Sequence, residues 1–470
     1  RDCLLSRGLG DVYKRQQGNG WASGYLYPGA TYPFGMVQFT PTYFTKQLGF
    51  VINQLSGAGC DHMGNFPTLP IAGALRVSPD SILNMQTPVG KEIGTAGYYA
   101  ATVDHSIRAE LTVTERTGMA RYTFSSKEKQ GTVIIGGGVA ATSIQVAAIK
   151  ITGPHSCEGY AEGGAFCGIP TPYKVYFVAE FDADAESFGT WKEERLHANH
   201  TFAEGSHSGV YFTFPLKEGN QAVQYKIGVS YVSVENAREN LRVENPAWDF
   251  SAVRQATQDK WNEYLGKIEV EGDNEDRQMQ FYTHLYRSLI HPNVCSDVNG
   301  EYMGADSQVH KTARKFYTSF SNWDTYRTQT ALIAMLAPEE TSDIVMSHYL
   351  FAEQSGGGFP RWVLANIETG VMQGDPTPIL VANAYAFGAR NYDPRTLLRT
   401  MRYGAEVPGA NSQGVLTRPG LEQYLEKGYY DASILLEYTS SDFAIGRFAL
   451  QACNDEPCLL YTSPSPRDKR

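Results

Sequence analysis

The first half of the chain is dominated by short segments in which apolar and polar residues alternate. Glycine-rich turns separate these segments, and few of them show the repeat of an amphipathic helix. Alternation with a period of two is typical of strands with one buried face, and such strands need an opposing sheet to cover that face. We therefore predict a β-sandwich. Its clearest predicted strands are 107–113, 121–124, 132–135, 174–181, 210–214 and 222–234.

A different pattern begins after residue 245. Apolar residues then recur every three or four positions, which is typical of amphipathic helices. A connecting helix is predicted first, and about seven helices joined by short loops follow it. Asp375-Pro376 and Asp393-Pro394 each place a capping Asp before a proline, which favours a helix start. Helices with short connections form antiparallel hairpins, the building unit of an (α/α) barrel.

These patterns predict a multidomain β plus α protein. A β-sandwich at 17–245 and a linker helix at 246–270 precede the first half of an (α/α)6 barrel at 271–456. A complete barrel of this kind needs about twelve helices, so the predicted barrel is incomplete. Residues 1–16 and 457–470 look like translated sequencing-adapter sequence and are left out of the fold prediction. We therefore expect coding sequence beyond residue 456, and a secretion signal can have been lost at the front.

Composition narrows the classes of function. The 470-residue chain has a net charge of −10, whereas a nucleic-acid surface needs clustered Lys and Arg. No apolar run approaches the length of a membrane span. An aromatic content of 12% in an acidic chain suits carbohydrate better. The seven cysteines lack zinc-like spacing, and Cys157 and Cys167 either bridge a loop or remain free thiols.

One stretch, 316–327, combines aromatic rings, a carboxylate and a guanidinium. Ser321 precedes Asp324 by three residues, the spacing of a capping box, so a helix is predicted to start here and to stop at Pro338. A flat ring such as Trp323 beside fixed polar groups can hold a sugar, which offers one apolar face and a rim of hydroxyls. The alternative is a buried Trp beside a helix-capping Asp, and the local sequence leaves both open.

Further loops carry candidate chemistry. In the loop 55–67, glycines allow close approach of backbone to a ligand near Gly59, Cys60 and Asp61, while a metal pair of Asp61 and His62 has little support. The loop 297–306 has alternating oxygen ligands, but it lacks the twelve-residue calcium pattern, so a polar turn is favoured over a calcium site.

The segment 358–376 supplies the remaining candidates. Arg361 and Trp362 form a second stacking and hydrogen-bonding pair after three glycines. Glu368 and Asp375 add carboxylates to the same segment, and Asp375 is interpreted as an N-cap that can still accept a ligand hydroxyl.

Several of these motifs, in this order, resemble glycoside hydrolase family 92, the calcium-dependent exo-α-mannosidases. The resemblance covers residues 17–452. It rests on the stretches 27–30, 33–38, 55–67, 286–293, 320–327, 360–362 and 374–376. It implies an N-terminal β-sandwich and a C-terminal (α/α)6 barrel, and hydrolysis of terminal α-mannosidic bonds with inversion.

The resemblance also implies a cofactor and a set of contacts. In the family, Ca²⁺ binds sugar hydroxyls directly, and a divalent cation suits vicinal diols because it accepts many oxygen ligands. No metal ligand is assigned in this sequence. The positions implied for binding the terminal mannose are Gly59, Cys60, Asp61, Trp323, Asp324, Arg361, Trp362 and Asp375.

The sequence departs from the family pattern at the catalytic carboxylates. The general acid of the family lies in a Val-Glu-Gly-type motif and the base in an Asn-Asp-Asp-type motif, and no stretch of this sequence matches either. Glu353, Glu368 and Asp375 are not assigned in their place, because capping or surface roles account for them. We therefore predict no catalytic acid or base in these 470 residues.

Two alternatives remain. Another (α/α)6 glycosidase or phosphorylase, of the glucoamylase or maltose phosphorylase kind, has the same architecture and would show no calcium requirement. A non-catalytic sugar-binding relative would lack the two carboxylate motifs in its complete sequence. The expected partner is a mannose-containing glycan, either an N-glycan or a mannan, and the expected location is the periplasm, surface or exterior of a bacterium. Linkage preference and oligomeric state are not predicted.

Overall fold

The computed structural model describes residues 26–41, 49–83, 89–218 and 221–455. The chain forms two compact units, one up to Asn299 and one from Gly300. The adapter-like stretches 1–16 and 457–470 lie outside the described residues. Within those described, no helix has the length and apolar character needed to cross a membrane.

The first unit is built mainly from antiparallel strands. In chain order they are β1 (Ala30–Thr31), β2 (Gln38–Pro41), β3 (Phe50–Val51), β4 (Thr68–Ala72), β5 (Val89–Thr95), β6 (Tyr98–Val103), β7 (Ile107–Val113), β8 (Thr117–Thr123), β9 (Gln130–Gly136), β10 (Ile144–Gly153), β11 (Ser156–Phe166), β12 (Ile169–Phe181), β13 (Ser187–Lys192), β14 (Arg195–Ala198), β15 (Phe202–Glu204), β16 (Ser208–Pro215), β17 (Ala222–Ser230) and β18 (Asn293–Val294).

Most of these strands belong to two sheets. One sheet has the order β1-β2-β3-β4-β9-β16-β13-β14, and the other has the order β15-β10-β11-β12-β17-β8-β7-β6-β5. Neighbouring strands are antiparallel throughout, as in the pairing of Tyr225 with Ala120 between β17 and β8. The predicted β-sandwich is confirmed, because alternating sequences such as that of β7 bury one face of each sheet.

Aromatic side chains fill the space between the two sheets. Phe181 on β12 packs against Phe212 and Phe214 on β16, with ring centroids 5.0 and 4.9 Å apart. Phe50 on β3 stacks on Tyr122 on β8 at 6.4 Å. Burial of one such ring stabilises the fold by roughly 1.5–3 kcal/mol, so these cross-sheet contacts hold the sandwich together.

Four described helices accompany the sandwich. They are α1 (Pro79–Leu83), α2 (Val234–Glu244), α3 (Phe250–Leu265) and α4 (Glu275–Ser288). The strand predicted at 222–234 ends instead at Ser230, and α2 begins at Val234 because the Ser233 hydroxyl accepts the N–H of Asn236 as a cap. The predicted connecting helix is α3. It packs on the sandwich, where the indole of the buried Trp261 donates to the Thr31 carbonyl at 2.7 Å.

The second unit is mainly helical. Its helices are α5 (Asn322–Thr325), α6 (Gln329–Leu336), α7 (Pro338–Glu353), α8 (Thr377–Ala386), α9 (Pro394–Glu406), α10 (Leu421–Lys427) and α11 (Ala432–Cys453). Its short strands are β19 (Glu301–Met303), β20 (Val309–Lys311), β21 (Tyr317–Thr318), β22 (Phe320–Ser321), β23 (Trp362–Leu364), β24 (Ile367–Glu368), β25 (Asn411–Ser412) and β26 (Val415–Leu416). Apolar residues of α7, α8, α9 and α11 share one core, which includes Val345, Val381, Leu397 and Ile445.

The predicted helix starts fare differently. Asp393 caps α9 as predicted, since its carboxylate accepts the N–H of Arg395 at 3.1 Å. The prediction that Asp375 caps a helix is wrong. Pro376 occupies the cap position of α8 without a side-chain bond, and the Asp375 carboxylate is instead bound by Arg418. Pro338 follows the end of α6 as predicted, and it also forms the first residue of α7, a position that needs no N–H partner.

Candidate functional site

The stretch 316–327, which carries the Trp323 indole and the Asp324 carboxylate, contains the short helix α5 of the second unit. Its position is set by Asn322, which is buried and donates to the Thr377 hydroxyl at 2.8 Å and the Pro360 carbonyl at 3.1 Å. Ser321 precedes the helix, but its hydroxyl donates to the Asp324 carboxylate and caps no backbone N–H. The predicted capping box is therefore replaced by a bond between the two side chains.

Trp323 and Asp324 both reach the surface of this unit. Trp323 is half-buried, and its Nε1 donates to Glu437 Oε1 at 3.2 Å. The guanidinium of Arg327 lies over the Trp323 ring, 4.8 Å from its centroid. The Asp324 side chain is exposed. This group offers a ring face, two carboxylates and a cation, which is the chemistry that a sugar with one apolar face requires.

Arg361 lies in the interior next to this surface. Its guanidinium donates to the carbonyls of Gly374 at 2.9 Å, Leu416 at 3.1 Å and Thr417 at 3.3 Å, and its side chain is buried. These bonds connect loops that are distant in sequence. In this conformation the guanidinium stabilises loop structure, and its predicted contact with sugar stays a prediction.

Trp362 and Glu368 belong to the same support. Trp362 is only 4% exposed and lies in β23, paired with Ser321 of β22. The Glu368 carboxylate accepts the N–H groups of Arg361 at 2.6 Å, Trp362 at 3.2 Å and Gly370 at 2.8 Å. Burial raises the pKa of Glu368, and these bonds oppose the rise. The Trp362 ring is buried in this conformation, so its predicted stacking on a sugar stays a prediction.

Asp375 takes part in a buried ion network. Arg418 donates from Nε to Asp375 at 2.9 Å and from Nη1 to Asp442 at 2.7 Å. Burial raises the pKa of both carboxyls, although Arg418 opposes the rise. The Ser441 hydroxyl, on the same helix as Asp442, donates to the Asp375 carbonyl at 2.6 Å. The network therefore joins the loop before α8 to helix α11.

The loop containing Gly59, Cys60 and Asp61 lies in the first unit. Cys60 forms a disulfide with Cys167, and Cys157 is a buried free thiol, so the suggested Cys157 to Cys167 bridge is wrong. Gly59 and Asp61 are exposed. The loop thus presents a carboxylate at the surface while the disulfide ties its centre to the β11–β12 hairpin.

Two histidines hold the start of this loop. The Leu55 N–H donates to His62 Nε2 at 2.7 Å, and the Ser56 N–H donates to His291 Nε2 at 2.8 Å. A ring nitrogen that accepts an N–H carries no proton. Burial lowers the pKa of both imidazoles to about 4, so both rings are neutral at pH 7 and can serve as acceptors.

Two models of known protein families match the sequence. Residues 16–230 match the family model of the glycosyl hydrolase family 92 N-terminal domain, and residues 236–465 match that of the family 92 catalytic domain. The chain belongs to glycosyl hydrolase family 92. The two matches follow each other along the chain, so the family covers both units.

Solved structures of family 92 share the fold. A family 92 α-mannosidase of Bacteroides thetaiotaomicron superposes with a TM-score of 0.84 and 24% identity, over 94% of this chain and 63% of that one. An inverting mannosidase of the same organism has a TM-score of 0.83 and 24% identity, over 94% and 62%. These similarities confirm the fold class, a sandwich followed by helices of an α/α barrel type.

One curated relative is also similar. An uncharacterized secreted glycosidase of Arthroderma benhamiae is 26% identical over 352 residues, which is 65% of this chain and 44% of that protein. The family 92 chain described here therefore spans less than two thirds of each of these relatives.

Sequence reasoning missed the contact that helix α11 makes with Trp323. The apolar spacing of the sequence predicts a helix only at 441–450, whereas α11 begins at Ala432 and is capped by Asp431. Glu437, which accepts the indole N–H of Trp323, therefore lies outside the predicted helix. The sequence does contain a signal for this cap, because Asp is a preferred residue just before a helix. In the structure the Asp431 carboxylate accepts the Ser433 N–H at 3.0 Å.

Removal of the disulfide tests how strongly the loop of the first unit is tied down. The bridge spans 107 residues, so the double variant Cys60→Ser/Cys167→Ser should lose about 2–4 kcal/mol of unfolding free energy, measured by urea denaturation. Cys157→Ser is the control, because this thiol is not bridged. A double variant as stable as the wild-type protein would contradict the prediction.

Proposed function

We propose that these 470 residues are part of an exo-α-mannosidase, in which Trp323 and Asp324 recognise the terminal mannose. The half-buried indole beside an exposed carboxylate is the observation that carries the proposal. Family membership supports it, and so does the structural similarity to an α-mannosidase solved with mannoimidazole. The substrate class is a glycan with terminal α-mannose, such as an N-glycan or a mannan.

We propose inversion as the stereochemical course. Inverting hydrolysis uses one carboxylic acid to protonate the leaving oxygen and one carboxylate to activate water, with about 6.5–9.5 Å between them. One structural relative is described as an inverting mannosidase, which supports the proposal. Neither family motif for these two carboxylates occurs in the sequence. The residues present would bind and orient the sugar, and no catalytic residue is assigned among them.

Calcium is proposed from the family resemblance alone. The described ranges contain no group of three or more His, Cys, Asp or Glu side chains that could hold a metal ion. In the loop 297–306, both oxygens of Asp297 already accept hydrogen bonds, from Ser230, Asn236 and Asn240 at 2.6–2.9 Å. These donors fit a polar turn and not a cation. The loop 297–306 therefore does not fit a Ca²⁺ site, and no step of the mechanism is assigned to the ion.

We infer that the protein acts in an oxidising compartment outside the cytoplasm. The Cys60–Cys167 disulfide supports this inference, because such bonds persist mainly in exported proteins. The secreted glycosidase of Arthroderma benhamiae supports it as well.

Binding of methyl α-D-mannopyranoside to the 470-residue protein tests the proposal. Asp324→Ala should weaken binding about tenfold by calorimetry, because a hydrogen bond to a charged group contributes roughly 1.5–3 kcal/mol. Glu422→Ala on α10 is the matched control, since this carboxylate is exposed. Wild-type protein that fails to bind the mannoside, or binds methyl α-D-glucopyranoside equally well, would contradict the proposal.

Hydrolysis is tested separately. The same protein should release no aryl group from an aryl α-mannoside, because the acid and base motifs are absent from its sequence. Detectable hydrolysis with inversion would show that carboxylates among these residues do act as acid and base.

A further inference from the structure

Glu437 occupies a restricted position beside Trp323. Its Oε1 accepts the indole N–H at 3.2 Å, and Gly374 lies against its stem. Gly374 has a φ of +75°, and a Cβ at that position would come within 2.8 Å of the Glu437 Cβ and 3.2 Å of its Oε2. One helical turn later, the Ser441 hydroxyl joins α11 to the Asp375 carbonyl. These contacts fix the backbone of α11 at and near Glu437.

The bond to Glu437 determines which parts of the indole a ligand can use. An indole has a single N–H donor and no acceptor, and here that donor is already bound. One ring face lies under the Arg327 guanidinium. A sugar can therefore meet Trp323 only on the remaining face, and its hydroxyls must find acceptors elsewhere.

The second oxygen of Glu437 is such an acceptor. Glu437 is only partly buried, and Oε2 has no hydrogen-bond partner among the residues that the structure describes. It lies at the edge of the indole, one carboxylate width from the atom that holds the ring. A pyranose stacked on the ring face opposite Arg327 would bring hydroxyls to that edge, because its hydroxyls form a rim around the apolar face.

We propose that Glu437 is a sugar-binding residue of this protein, which orients the Trp323 indole through Oε1 and accepts a hydroxyl of the stacked sugar through Oε2. The inference rests on the proposed function, because it assumes that Trp323 stacks on the terminal sugar. The site would then contain two sugar-binding carboxylates, Asp324 and Glu437. The recognised sugar must carry a hydroxyl that reaches the edge of the indole.

Two substitutions separate orientation from sugar binding. In Glu437→Gln the amide oxygen still accepts the indole N–H, but the charged acceptor at the ring edge is lost. In Glu437→Leu both are lost. Glu426→Gln and Glu426→Leu on α10 are the matched controls, because Glu426 is exposed. Affinity for methyl α-D-mannopyranoside is measured by calorimetry, and the indole N–H of Trp323 by NMR of protein with ¹⁵N-labelled tryptophan, assigned through Trp323→Phe.

The expected results differ between the two variants. Glu437→Gln should keep the Trp323 resonance near its wild-type position and bind the mannoside about tenfold more weakly, since the lost acceptor is charged. Glu437→Leu should move that resonance and bind at least as weakly. Wild-type affinity in either variant would overturn the inference and leave the proposed function intact. A wild-type protein that does not bind the mannoside would overturn both.

Discussion

Acidification from pH 7 to pH 4 should remove about 3 kcal/mol of unfolding free energy through His62 and a smaller amount through the partly exposed His291. Burial lowers the pKa of both from an ordinary 6.5 to about 4. The unfolded chain therefore takes up these protons near pH 6.5, while the folded protein resists them until about pH 4. Stability is complete above pH 6.5 and falls as the pH is lowered through this window.

The test compares urea denaturation of the wild-type protein and His62→Gln at both pH values. The variant should be less stable at pH 7, because the flexible glutamine amide does not reproduce the rigid ring that joins the Leu55 N–H to the Cys60 carbonyl, and the difference should shrink by about 3 kcal/mol at pH 4. His284→Gln on α4 is the control, since this exposed side chain is solvated in both states. A wild-type to His62→Gln difference that does not change with pH would show that the buried imidazole is not responsible.

Arg418→Met should lower the free energy of unfolding of the second unit by about 3–5 kcal/mol. The side chains of Arg418 and Asp375 are only 3% and 2% exposed, so removal of the cation leaves a buried carboxylate without its counter-charge. Asp442 loses its partner as well. The loss should be larger at pH 7 than at pH 4, because burial already raises the pKa of both carboxyls and protonation removes the unpaired charge.

A matched pair of variants isolates the effect of burial. Arg402→Met breaks an exposed ion pair with Glu406 and should cost less than about 1 kcal/mol in the same denaturation experiment. Arg418→Met/Asp375→Asn/Asp442→Asn should recover part of the loss, since no uncompensated charge remains. Equal losses in Arg418→Met and Arg402→Met would rule out the buried network as the cause.

Much of the fold could be predicted because strands and helices have characteristic local patterns of apolar and polar residues. The strand at Ile107–Val113 was predicted with the bounds that the structure has, since its apolar residues alternate. The end of β17 was misplaced because an apolar run continues past Ser230, and only the Ser233 cap signals the helix that follows. The start of α11 was missed for a similar reason, since the apolar pattern continues to both sides of Ser441.

The candidate site was predicted less completely. Trp323, Asp324, Arg361 and Asp375 are predicted site residues because each lies in a conspicuous local motif. The structure separates them by burial: Asp324 is exposed, whereas Arg361 and Asp375 are enclosed by hydrogen bonds to distant loops. The burial of an individual polar side chain depends on how distant parts of the chain pack. It cannot be predicted from the residues next to it in the sequence.

By itself the sequence determined the two kinds of secondary structure and the motifs of family 92, because both are short-range patterns. Only the tertiary structure decided that Glu437 meets Trp323 across 114 residues and that Cys60 pairs with Cys167 across 107. It also decided that Asp375 binds Arg418 instead of capping a helix. The physical reason is that a side chain's partner depends on which surfaces pack together, and contacts between distant residues leave no periodic trace along the chain.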